Sequence, residues 1–344
     1  MIELQRDALT FSFPDVHPEA RLSIDFQRTL RIPDDGDDYP LPPGLGRFPT
    51  RLVDDFSKEV PRTWLQHGGV MLSMYQSEAL WLNFECGWVA MHRAQYPFAV
   101  KIAAGKINAV SGDVWSDRLQ RRSQDYLVAP EQPWLDGFCV EKGFIRQFVA
   151  MPLGSGYSAE EQLTGEAECG GLQIIAYPMK REVFERRFPK RPGRFGDASA
   201  SYRHVDMAIC GAAADMALAP GGRMHQEIYE DPFSFDDWDR EHSSRCFVHL
   251  ANSLVWRSIT GSDPPSVPPT AKEYKKAGLP WFDYYDDKAV ALGGSKMLDG
   301  LDSVAVMGEK KGDVPLPENE SVTPEHIVNL RRGLKPGQVR EGCF

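Results

Sequence analysis

Leu22, Ile24 and Phe26 alternate with Ser23, Asp25 and Gln27. A period of two sends one set of side chains to each face of an extended chain, so the segment predicts a half-buried strand. Short apolar runs recur at 98–103, 126–129, 144–151, 172–177, 246–251 and 304–307, with Gly, Pro and Asp between them. With 30 Gly and 26 Pro the chain has many places to turn. Short strands cut by turn residues favour antiparallel sheets packed face to face over a doubly wound fold. The predicted fold is mainly β (α+β): an antiparallel sandwich or jelly-roll-like core with a few short peripheral helices.

Helices are signposted by their caps. Thr270 with Glu273 makes a capping box, closed by Gly278 and Pro280. Ser158 with Glu161 repeats it, with Gly165 as the stop. In such a box each side chain satisfies a backbone N–H that the first helical turn leaves unpaired. Thr323, Pro324 and Gly333 predict a C-terminal helix, and 179–188 a further one. Segments 34–46, 190–201 and 310–321 read as loops. The expected organisation is one large β-rich unit over 1–309, with two intimately packed lobes as the variant, then a linker and a C-terminal helix over 310–344. Pro133-Trp134-Leu135-Asp136 and Pro280-Trp281-Phe282-Asp283 echo one another, which motivates the two-lobe variant.

Charge narrows the partners. A net charge of −10 disfavours general nucleic-acid binding, which needs cations to displace counterions from phosphates. It also disfavours adsorption to anionic membranes. No stretch reaches the roughly 20 apolar residues of a membrane helix, and the first residues show no basic-then-apolar leader. The expectation is a soluble cytoplasmic protein. The six cysteines, Cys86, Cys139, Cys169, Cys210, Cys246 and Cys343, are scattered without close pairs, which fits reduced thiols.

Four blocks resemble a family of conserved soluble proteins of uncharacterised activity. They are HGGVMLSMYQSEALWLNFE, YPFAVKIAAGKINAVSG, QPWLDGFCVEKGFIRQFVAMPLGSGYSAEEQLTGEAE and PPTAKEYKKAGLPWFDYY, within residues 67–285. The resemblance implies a folded unit and brings no activity, cofactor or catalytic residue with it.

Candidate chemistry is of two kinds. His204-Val205-Asp206 and His225-Gln226-Glu227 are H-x-[DE] pairs, and His249 lies on a predicted strand. Two histidines, a carboxylate and open positions form the facial triad of non-haem Fe(II) sites. His204, Asp206, His225, Glu227 and His249 are therefore the metal candidates, set against ordinary polar contacts as the plainer reading. The acidic runs 34–38 and 231–239 could offer oxygen ligands to Ca(II), or be solvated loops whose charges neighbouring arginines compensate. Gly154-Ser155-Gly156-Tyr157-Ser158-Ala159 matches a nucleotide-loop pattern formally, but Glu160 and Glu161 would repel a pyrophosphate there.

The second kind is recognition. Trp134 and Trp281, with Asp136, Asp283, Tyr284 and Tyr285, pair aromatic planes with carboxylates, a chemistry suited to sugars or to a partner hot spot. The plainer reading makes both tryptophans anchors that pin loops to the core. No complete hydrolase, P-loop or zinc signature accompanies these residues. The leading expectation is a non-catalytic binding or assembly protein with a protein partner or self-association and no cofactor. The alternatives are a metal-dependent, oxygenase-like jelly roll using Fe(II) or Ca(II), and a glycan-binding or glycan-active protein.

Overall fold

The computed structural model describes residues 1–190, 215–268, 270–286, 288–314, 322–324 and 326–331. The fold is mainly β, with a large and chiefly antiparallel sheet and few short helices. Its main path runs Ile2–Gln5, Ala8–Ser12, Arg21–Thr29, Ala79–Cys86, Phe144–Pro152, Asp215–His225, Ser244–Ala251, Leu172–Pro178, Phe98–Ala104 and Ile107–Asn108. Two short strands join in parallel: Asp38–Tyr39 beside Asp215–His225, and Val70–Ser73 beside Ser244–Ala251.

The alternation read from Leu22 to Gln27 is what closes the sheet. Leu22, Ile24 and Phe26 face inward, as do Leu80, Leu82 and Phe84 on the next strand. They join Phe98, Val100 and Ile102 in one buried cluster, although Phe98–Ala104 lies near the other end of the strand order. Phe13, just past Ala8–Ser12, brings its ring within 5.7 Å of Phe98. The sheet thus curls until its ends meet over a shared core, as the sandwich expectation required. Each fully buried side chain of this size contributes about 1.5–3 kcal/mol.

Curling buries both faces of the central strands and traps polar side chains there. Several are satisfied by reaching across to neighbouring loops. Gln147 is fully buried; it accepts from the Ile32 N–H at 2.8 Å and donates to the Leu30 carbonyl at 2.9 Å. Gln173 donates to Gly105; Gln132, buried in the bend before Trp134, likewise bonds Trp134, Glu227 and Tyr229. Gly222 fits the same plan, because a Cβ there would sit 2.1 Å from the Pro33 carbonyl.

Strands expected at 98–103, 126–129, 144–151, 172–177 and 246–251 are present within a residue or two. Both capping boxes form, on helices Ala159–Thr164 and Ala271–Lys276, and Arg181–Arg187 is the helix expected at 179–188. Two expectations are corrected. Residues 304–307 begin a helix, Val304–Lys311, because Ser303 caps it and Gly312 stops it in the left-handed region. The expected C-terminal helix is instead a strand, Ile327–Arg331, paired in parallel with Trp281–Tyr285. A partner strand and the apolar run Ile327, Val328 and Leu330 outweigh the Thr-Pro start signal.

Replacing Gln147 with Met keeps its volume and strips two buried backbone groups of their partners. Urea unfolding should show a loss of roughly 2–5 kcal/mol. A loss below about 0.5 kcal/mol would mean these bonds contribute nothing net to holding the 30–32 segment.

Candidate functional site

Two surfaces gather polar chemistry. The first is the loop 110–126, which crosses one end of the sheet with a single strand-like contact, Val114 to Ile107. Long irregular loops in compact proteins are uncommon and tend to carry function. This one is held from below. Lys101, on Phe98–Ala104, is 1% exposed; its ammonium meets Asp125 at 2.5 Å and donates to the Arg118 carbonyl at 2.8 Å. Asp125 accepts from the Gln120 N–H at 3.0 Å. Asn108 accepts from the Val110 and Ser111 N–H groups, both at 2.9 Å, and donates to the Asp125 carbonyl. The Tyr177 hydroxyl donates to Asp117.

Clefts lie around the loop. One of about 510 Å³ is lined by Arg118, Lys180, Arg240, Glu182, Asp239 and Tyr177 among others. Another, of about 300 Å³, reaches Lys101, Asn108 and Asp125 below Ser116, Arg122 and Ser123. The first is mixed in charge. Asp117 pairs with Arg245 at 2.7 Å and Asp239 with His242 at 2.9 Å. Arg118 and Lys180 form no ion pair among the described residues.

The second surface is the outward face of the strands Arg21–Thr29 and Ala79–Cys86. Since Ile24 and Leu82 point inward, Asp25, Gln27, Trp81 and Asn83 point out. Asp25 pairs with Asn83 across the strands and Gln27 with Trp81; Trp134 pairs with Asn83 from the other side. Asp25 is a hub: it accepts from Gln27 at 2.5 Å and Asn83 at 3.1 Å, and its carboxylate meets Arg47 at 2.9 Å. Trp134 lies edge-on to Trp81 at 6.4 Å and against Tyr284 at 4.6 Å.

The two echoing segments therefore meet, through Trp134 and Tyr284, but their residues differ in role. Trp134 is half-buried. Trp281 is 2% exposed, packed between Tyr39 and Tyr274, so it is an anchor. Asp136 is sealed in the core, where it exchanges hydrogen bonds with Gln226. Burial raises its carboxyl from an ordinary 3.8 to about 7, against the opposing pull of the Gln226 donor. Glu78 behaves alike: burial raises it to about 7, while the Tyr75 N–H and Arg28 pull it back. Asp283 stands 3.9 Å from His225. The side chain of Tyr285 lies outside the described ones.

Among the described residues, the metal candidates His225, Glu227 and His249 are not brought together. His204 and Asp206 lie outside the described residues. His249 is buried flat against Trp64, 4.6 Å away, and its Nε2 donates to the Gly68 carbonyl at 3.0 Å. Burial lowers its pKa to about 4, so the ring is neutral. The strands carrying His249 and His225 pair at Leu250 and Met216. His225 sits at the far end of its strand, roughly 25–30 Å along the chain from that point. Glu227 follows His225 near the surface, with its carbonyl bonded by Gln132. Among the described residues, no three His, Cys, Asp or Glu side chains form a metal-binding group.

The acidic runs are matched by donors from the chain itself. Asp236 meets Arg121 and Arg240, and Asp237 meets Arg187 on the helix Arg181–Arg187. Asp231 accepts from Tyr126 and Trp238, each at 2.7 Å. In the other run, Asp38 pairs with Arg223 at 2.8 Å, and Asp35 accepts from Tyr39. At the Gly154–Ala159 loop, Glu161 itself takes the Gly156 and Ser158 N–H groups, occupying the donors a phosphate would need.

Asp25, Gln27, Trp81, Asn83 and Lys101 escaped sequence reasoning as site residues. The alternation in 22–27 and 80–85 carried the signal for the first four, since it sets them on one outward face. Nothing local marked Lys101, whose partner is 24 positions away in the chain. The four described cysteines, Cys86, Cys139, Cys169 and Cys246, are unpaired, and no described helix is long and apolar enough to cross a membrane. Comparison with family models, with curated proteins and with solved structures found no match.

Asp136 gives a pH prediction. Its folded-state value is raised, so the stabilisation of the neutral carboxyl is full below about pH 4 and lost as pH rises through about 7. Asp136→Asn cannot ionise. Between pH 5 and 8 the variant should gain on the wild type by about 2–3 kcal/mol in urea unfolding. A difference that stays constant over that range would show that Asp136 does not titrate there.

Proposed function

We propose that the protein is a non-catalytic binding protein that recognises its partner through the loop 110–126 and the clefts beside it. The observation that carries this reading is the buried Lys101–Asp125 pair, which fixes the loop from beneath and presents its charged rim preformed. A rigid rim lowers the entropy lost on binding. Arg118 and Lys180 are cations at the cleft that no described carboxylate pairs within the chain, so both are open to an acidic group of a partner. The carboxyls tuned closest to neutrality, Asp136 and Glu78, are sealed in the core and line none of the described clefts, which favours recognition over acid–base chemistry at this surface.

The test is a double charge reversal, Arg118→Glu with Lys180→Glu. Both side chains are at the surface, so the melting temperature should stay within a few degrees of wild type. Partners captured by the wild-type chain at about 50 mM salt should be lost by the variant and weakened at about 500 mM salt. Sedimentation over a concentration series run in parallel separates self-association from a different partner. A variant that keeps every partner, or a purified wild-type chain that turns over a substrate, contradicts the proposal.

A further inference from the structure

The outward corner formed by Trp81, Trp134 and Tyr284 has its own chemistry, separate from the loop clefts. Trp81 and Trp134 sit on two paired strands, and Tyr284 comes from Trp281–Tyr285 of a separate sheet. Gln27, Asn83 and Arg47 all converge on Asp25, which is 2% exposed. That hub fixes both carboxamide groups with their amino ends turned to the carboxylate, which leaves their carbonyl oxygens, Gln27 Oε1 and Asn83 Oδ1, as ordered acceptors. The loop before Arg47 seals the edge of the corner: a Cβ on Gly44 would come 2.8 Å from the Trp81 ring and 2.9 Å from Gln27 Oε1. The Trp81 indole N–H, beneath that edge, has no hydrogen-bond partner.

Charge decides what such a corner accepts. Asp25 and Arg47 neutralise each other. The next row across the strands is Glu3, Thr10, Ser23 and Glu85, with the Thr10 and Ser23 hydroxyls bonded at 3.1 Å. Its two carboxylates are exposed and would repel an anion. The corner therefore offers half-buried aromatic side chains, oriented amide acceptors and hydroxyls, with no free positive charge among the described residues. Aromatic faces take the apolar C–H side of a sugar ring, while amides and hydroxyls take its hydroxyl groups. We propose that this corner binds an uncharged oligosaccharide, stacked on Trp134 and held by hydrogen bonds to Asn83 and Gln27. This goes beyond the loop-cleft proposal and does not depend on it.

The experiment is calorimetry with tryptophan fluorescence, titrating the full chain with cellohexaose, xylohexaose, mannohexaose and chitohexaose, with oligogalacturonate as the anionic control. At least one uncharged hexaose should bind saturably at one site, with an affinity unchanged between about 50 and 500 mM salt. Trp134→Ala should weaken it about tenfold and Asn83→Ala about fivefold. Trp134→Phe, which retains a ring and guards against a merely unfolded variant, should keep most of the affinity. Three results overturn the proposal: no uncharged hexaose binds the folded chain; binding is unaffected by Asn83→Ala and Trp134→Ala; or oligogalacturonate binds better. Loss of a captured protein partner on Trp134→Phe, with no sugar bound, would instead assign the corner to protein recognition.

Discussion

The constraint on which the rest depends is the burial of both faces of the central strands. Once the sheet curls until Phe13 meets Phe98, polar side chains on those strands can no longer reach water. Each unsatisfied group costs about 1–3 kcal/mol, which favours side chains that find a partner inside. The partners available are the backbones of loops that pass over the sheet. Gln147, Gln173, Asn108 and Lys101 all solve the problem this way. Satisfying the core and positioning the surface are thus one event.

This coupling explains why the recognition surfaces are ordered without regular secondary structure. The loop 110–126 has little of its own to hold it, yet its Val110, Ser111 and Gln120 amides are bonded by side chains from Asn108 and Asp125. The Asp25 hub does the same on the outward face, where Arg47 arrives from a Pro/Gly-rich loop. A buried ion pair such as Lys101–Asp125 is weak evidence of net stability, because desolvation offsets its attraction. Its role is to specify one position for the loop.

Much of the fold was legible in the sequence because the signals were local. Alternation named the strand of Leu22 to Gln27, and the capping boxes at Ser158 and Thr270 named their helices. Where expectation failed, a non-local contact decided. Ile327–Arg331 became a strand because Trp281–Tyr285 lay beside it. Asp215–His225 was hidden by Pro220-Gly221-Gly222, residues that usually disqualify a central strand; the register shift against Phe144–Pro152 accommodates them. The site was less legible. Trp134 and Tyr284 were visible as aromatic candidates, and the structure joins them. Trp281 and Asp136, from the same motif, went to the core instead. No sequence pattern could reveal that Lys101 would be buried opposite Asp125, since that pairing exists only once the loop has folded back.

The central claim is that buried strand side chains fix the surface loops, and amide hydrogen exchange tests it most directly. In the wild type, the Val110, Ser111 and Gln120 amides should exchange at least about a hundredfold more slowly than a free chain, despite lying in a surface loop. In Asp125→Ala the Gln120 amide should lose that protection, while amides of Arg21–Thr29 and Ala79–Cys86 keep theirs. If these loop amides exchange at the free-chain rate in the wild type, the loop is not stapled. The account of a preformed recognition surface would then be wrong.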